Sequence, residues 1–95
     1  MVVQREKQFE TFLSGEPTIN SDKAVASRMV KARKAETILG KSLDTVVAND
    51  DEMYDSLVAL RSHENYTHSP MQNAVRKYYK FINGKEFPQL RYYKR

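Results

Sequence analysis

The chain reads as all-α, a small bundle of four to five short helices. Three observations predict this. Only three Gly and three Pro punctuate 95 residues. No stretch sustains the period-2 alternation of a strand. Helix start and stop residues recur at helical intervals. With 40% apolar residues, ten aromatics and no Cys, the chain builds one modest core without covalent staples.

A first helix is predicted over about 3–14, where Phe9, Phe12 and Leu13 share a face and Gly15 with Pro17 ends the run. A second covers 22–39. Ser21 caps it, Asp22 complements its dipole, and Gly40 occupies the left-handed position after its end. Val25, Met29, Ala32, Ala35 and Leu39 fall in one apolar arc, with Lys23, Ser27, Lys31 and Lys34 opposite and Arg28 and Arg33 on its two flanks. Leu43, Val46 and Val47 predict a short apolar turn after Ser42.

Asn49 and Glu52 form a capping box for a third helix over 50–62, buried through Met53, Leu57 and Leu60. Residues 63–68, HENYTH, read as a polar loop. A last helix begins with Ser69 as cap, Pro70 at the first position and Gln72 in the capping-box place, and it stops at Gly84. Its apolar stripe is Met71, Ala74, Val75, Tyr78, Phe81 and Ile82. Asn73, Arg76 and Lys80 centre the opposite side, with Lys77 and Tyr79 at the edges. The organisation expected is a helical bundle over 1–84 and a basic aromatic tail over 85–95 that packs on the bundle, through Phe87 and Leu90, or extends from it.

Charge is distributed unevenly. Residues 1–22 carry a net −2, 23–41 carry +5, 42–69 carry −5 and 70–95 carry +6, so the total of +4 hides two cationic segments separated by an acidic one. An ordinary solvated helix mixes both signs on its outer face. Here the second and last helices hold the cations and the third holds Asp50, Asp51, Glu52 and Asp55. Such a pattern predicts a polyanion as partner, double-stranded DNA first among them. Lys23, Lys31, Lys34, Arg76, Lys77 and Lys80 are the expected phosphate ligands. Arg28 and Arg33 can fork onto guanine, Asn73 can pair with adenine, and the Ser27 hydroxyl can bond a phosphate or a base. Tyr92 and Tyr93 are expected to dock on the bundle rather than stack on bases.

Other chemistries find little purchase. His63 and His68 stand in a polar stretch without supporting ligands, so no metal site is expected. Glu6, Glu10, Asp22, Asp50 and Asp51 lie where capping and dipole roles account for them. No Gly-rich phosphate loop, Cys nucleophile or Ser-His-Asp pattern occurs, which argues against catalysis, a cofactor and a small-molecule substrate. No apolar run approaches the roughly 20 residues of a membrane span. The N-terminus turns charged after four residues, unlike a signal peptide, so the expected location is cytoplasmic, in a bacterial host or on its nucleoid.

The stretch TINSDKAVASRMVKARKAETILGKSLDTV resembles the second helix of the SAM-like, or core-binding, N-terminal DNA-binding domain of phage-type tyrosine recombinases. SPMQNAVRKYYKFINGKEFP resembles that domain's last helix, and FETFLSGEPTINSDKAV has the family's order of short helix, linker and second helix. The resemblance implies a bundle lying across a duplex with those two helices at the major groove. Lys23, Ser27, Arg28, Lys31 and Lys34 would match the second-helix contact face, and Asn73, Arg76, Lys77 and Lys80 the last-helix face. Recombination also needs a catalytic domain with a His-x-x-Arg pair. Here His63 is followed at the third place by Tyr66, and His68 by Met71, so strand exchange is not expected of this chain.

The resulting expectation is a sequence-specific binder of double-stranded DNA. It would serve as a stand-alone repressor or an accessory DNA binder of a phage or mobile element, and a homodimer would suit a symmetric site. The alternatives are an isolated core-binding domain of an integrase, and an interaction module for an acidic protein partner.

Overall fold

The computed structural model describes residues 3–64 and 69–94. Among them run five α-helices and no strand: α1 Val3–Ser14, α2 Asp22–Leu39, α3 Leu43–Val47, α4 Asp50–Ser62 and α5 Pro70–Asn83, followed by a 3-10 turn at Leu90–Tyr92. The all-α expectation therefore holds, with four of the five helices where the sequence put them. Tyr66, His68 and most of the predicted polar loop lie outside the described residues.

Local chemistry sets the helix ends. Ser21 accepts a hydrogen bond from the Ala24 N–H at the start of α2, and Asn49 does the same for Glu52 at the start of α4. Gly40 and Gly84 follow α2 and α5 at φ of 70° and 74°, the left-handed conformation that closes a helix and that a β-carbon disfavours.

Two local predictions are corrected. The apolar turn at 42–47 is a helix, α3. Ser42 caps it through the Thr45 N–H, and the Glu36 carboxylate of α2 accepts from the Leu43 N–H at 2.8 Å. Ser69 does not cap α5. It sits at φ 46°, ψ 62°, outside the extended region that aims a capping hydroxyl at the first turn, and its side chain makes no cap bond. Glu64 takes that role. Its carboxylate accepts from the backbone N–H groups of Met71 and Gln72 and from Gln72 Nε2 at 3.1 Å. A full negative charge at a helix N-terminus also meets the dipole, which a hydroxyl does less well.

The core is formed by Phe9 and Leu13 of α1, the Val25–Met29–Ala32–Ala35 arc of α2, Leu43, Val46 and Val47 of α3, Met53, Leu57 and Leu60 of α4, and Met71, Ala74, Val75 and Tyr78 of α5. Helix α2 packs mainly on α5, and its small Ala32 and Ala35 are fully buried. Phe9, Tyr78 and Phe81 meet with ring centroids 5.0–5.6 Å apart. The α5 stripe is rotated from the expected one. Tyr79, assigned to an edge of the basic side, is buried, whereas Ile82, assigned to the core, is exposed. Tyr79 is drawn inward because its hydroxyl finds a partner there, donating to Asp50 Oδ1 at 2.8 Å. Tyr78 likewise donates to Asp44 of α3.

The tail returns to the bundle. Phe87 is buried against Tyr79, Leu90 packs at the core's edge, and Tyr93 stacks on Tyr54 while its hydroxyl donates to Asp51 at 2.9 Å. Tyr92 remains exposed, with the Arg91 guanidinium 5.0 Å from its ring centroid.

A cationic ridge and a cationic seam as the candidate nucleic-acid interface

The ten side chains singled out from the sequence separate into three groups. Lys23, Ser27 and Lys34 form an exposed ridge along α2, and Arg28 and Lys31 stand half-buried on the side of α2 that turns toward α5. Residues 23, 27, 31 and 34 recur at helical spacing, so the ridge runs about 16 Å along the axis. Among the described residues, Lys23, Arg28, Lys31 and Lys34 form no ion pair and no side-chain hydrogen bond.

Arg33 belongs to a different side. It leaves α2 toward α1, where Nε and Nη2 reach the two oxygens of Glu6 at 3.1 and 3.4 Å. The fork holds the Glu6 carboxyl below its ordinary range, chiefly through the hydrogen bond. Arg33 is thus separated from Arg28 by the buried arc of α2, and the two do not converge as a pair of guanine forks.

Asn73, Arg76, Lys77 and Lys80 lie on α5 facing the α2 side, yet the three cations are already engaged. Arg76 is half-buried. Its Nη1 donates to the carbonyls of Phe87 and Pro88 at 2.8 and 3.1 Å, and its guanidinium carbon lies 5.8 Å from the Phe87 ring centroid, so it fastens the tail to α5. That burial lowers its pKa from the usual arginine value, with Glu86 opposing the shift. Lys77 donates to Glu16 Oε1 at 2.8 Å and to the Thr18 hydroxyl at 3.1 Å; Lys80 reaches the same carboxylate at 3.1 and 3.4 Å. Glu16 is only 9% exposed, and the Lys77 hydrogen bond first, opposed by burial and aided by Lys80, holds its carboxyl below the usual range. The sequence did not single out Glu16. A lone acid in the loop between two helices carries no local signal of a partner 61 residues away.

The two helices nonetheless share a concave track. On one side of Arg28 and Asn73 a shallow hollow of about 230 Å³ is bounded by Ser27, Lys31 and Pro70. On the other a cleft of about 460 Å³ extends over Arg76, Lys77 and Lys80 to Glu86 and Gln89 of the tail. Asp50, Asp51 and Glu52, the acids that would repel phosphate, are instead tied to Tyr79, Tyr93 and Lys41 at the start of α4. Among the described residues no group of three or more His, Cys, Asp or Glu is placed to hold a metal ion, and no helix is long and apolar enough to cross a membrane. Compared with protein-family models, curated proteins and solved structures, the chain finds no match.

Proposed function

We propose that this chain is a sequence-specific double-stranded DNA-binding protein that grips the duplex along α2. One observation carries the reading. Lys23, Arg28, Lys31 and Lys34 gather on one helix without a counter-charge among the described residues, whereas Lys77 and Lys80 of α5 share Glu16. A cation bonded within its own fold must break that bond before it meets a phosphate. An unpaired one meets it directly, and the counterions released from DNA drive the association. Lys23 and Lys34 act as phosphate ligands on the ridge. Arg28 and Lys31 add two further phosphate ligands beside them, and Ser27 and Asn73, nearer the seam, are the side chains suited to base edges.

Binding by such a face needs no catalysis. Occupancy of an operator or a mobile-element site is the simplest consequence, as a repressor or accessory factor, and the resemblance to core-binding domains of tyrosine recombinases adds support. Selection of bound duplexes from a random pool, followed by competition against random duplex, tests it. The expected preference is at least about tenfold, the discrimination of one good base contact. Equal affinities for selected and random duplex would reject sequence-specific recognition. Neutralising about four phosphates predicts a log-log salt slope of about −3.6.

A further inference from the structure

The cleft beside the tail holds more positive charge than its acids cancel. Arg28, Arg76, Lys77 and Lys80 face Glu16 and Glu86, an excess of two positive charges around about 460 Å³. The donors in it are also incompletely used. Arg28 bonds nothing among the described residues, and Arg76 commits only Nη1, leaving Nε and Nη2 without an acceptor there. These donors are open to solvent, the Ser56 hydroxyl being the buried side-chain polar atom without a partner among the described residues, so an incoming acceptor can reach them. The two lysines on Glu16 differ as well. Lys77 is 17% exposed and bonds at 2.8 Å, while Lys80 is 32% exposed and bonds at 3.1 and 3.4 Å. Lys80 is therefore the one that can leave, and Lys77 alone keeps Glu16 neutralised.

We infer that the cleft between α2, α5 and the tail is a phosphate-binding subsite in which the Arg28 and Arg76 guanidinium groups and the Lys80 ammonium converge on one phosphate. Two planar forks and a point charge suit a tetrahedral oxyanion, which offers more acceptors than a carboxylate. The excess charge of two matches a phosphate dianion. The volume, about 460 Å³, lies within the ~300–1,000 Å³ of small-ligand sites and leaves room for a phosphate and part of the group that carries it. Two sources share this chemistry: a backbone phosphate of the duplex, if the DNA reading above holds, or a free phosphorylated ligand.

Titration of the isotopically labelled full chain with inorganic pyrophosphate, read by amide and side-chain NMR shifts, tests the subsite. Saturable shifts are expected at Arg28, Arg76 and Lys80. Arg28→Ala should weaken binding at least about tenfold, the equivalent of one lost charge-assisted hydrogen bond, while Lys34→Ala, on the ridge outside the cleft, should stay within about twofold. Arg28 has no bond in the fold to lose, and thermal melting of R28A verifies that the fold persists. Arg28→Lys keeps the charge and should recover only part of the affinity. Non-saturating shifts, or equal weakening by R28A and K34A, would overturn the subsite. A parallel titration with duplex identifies the source. If duplex shifts the same cleft signals and R28A weakens it, the backbone supplies the phosphate. Pyrophosphate saturation without any duplex binding keeps the subsite, assigns it to a free phosphorylated ligand and rejects the DNA reading. Duplex binding unaffected by R28A, with no pyrophosphate binding, rejects the subsite alone.

Discussion

The basic sides of α2 and α5 look alike in sequence and differ in use. Each helix offers lysines and arginines at helical spacing opposite an apolar stripe. On α2 the four cations of the ridge and seam remain unpaired among the described residues. On α5 they are bonded within the fold: Arg76 straps the tail, and Lys77 with Lys80 meets Glu16. Composition records how much charge a helix carries. Whether that charge faces a partner or a neighbouring loop depends on where distant acids and carbonyls fold.

The contrast can be broken most sharply by charge reversal. Lys31→Glu with Lys34→Glu should lower duplex affinity on the order of a hundredfold in a fluorescence titration, because each reversal both removes a phosphate contact and adds a repulsion. The melting temperature should hardly move, since neither side chain has a bond to lose. Lys77→Ala should show the opposite balance. It leaves a nearly buried Glu16 with only the more distant Lys80, so stability should fall by about 2 kcal/mol in denaturant melts, with a far smaller change in duplex affinity. A larger loss of affinity from K77A than from the α2 pair would reverse the assignment of the two faces.

Tyr79→Phe examines how α5 is anchored. Removing the hydroxyl that meets Asp50 should cost about 1 kcal/mol. It should also flatten the alkaline loss of stability. Burial, then Asp50, pushes the Tyr79 pKa up to about 12, and burial, then Asp44, pushes Tyr78 well above the ordinary range. Both phenols stay neutral in the fold beyond the point where the unfolded chain ionises. Their contribution is therefore full below about pH 10 and disappears as pH rises through the folded values. Melts between pH 9 and about 12 read this limb. The acid limb has the opposite sign. Glu6 and Glu16 titrate below 4.5 in the fold, so their contribution is present above that value and is lost as pH falls. Smallest of all should be Glu6→Gln. The Arg33–Glu6 pair is solvent-exposed on the arginine side, so the change should be within about 0.5 kcal/mol. Arg33 freed toward α1 should leave duplex affinity unchanged.

Much of the fold was legible because its determinants are local. Ser21, Asn49, Pro70, Gly40 and Gly84 act on their own helix ends, and the apolar spacing of α2 and α4 fixes which side is buried. The errors arise where the decisive partner is distant in sequence or local in an unanticipated way. Glu36 and Ser42 convert the turn at 42–47 into α3, and Glu64 reaches seven residues ahead to replace Ser69 as the cap of α5. Asp50, 29 residues away, gives Tyr79 a reason to turn inward. The α2 ridge was legible from periodicity alone. The engagement of Arg76, Lys77 and Lys80 was not, because Glu16 and the tail carbonyls that hold them have no helical spacing to betray them.

Amide shifts of the labelled chain on addition of its selected duplex would address the α2 surface most directly. The largest changes should cluster over residues 23–34, with those of α1 and α4 nearly still. Changes concentrated on α4, or spread evenly while residues 23–34 remain unmoved, would contradict the assignment to α2.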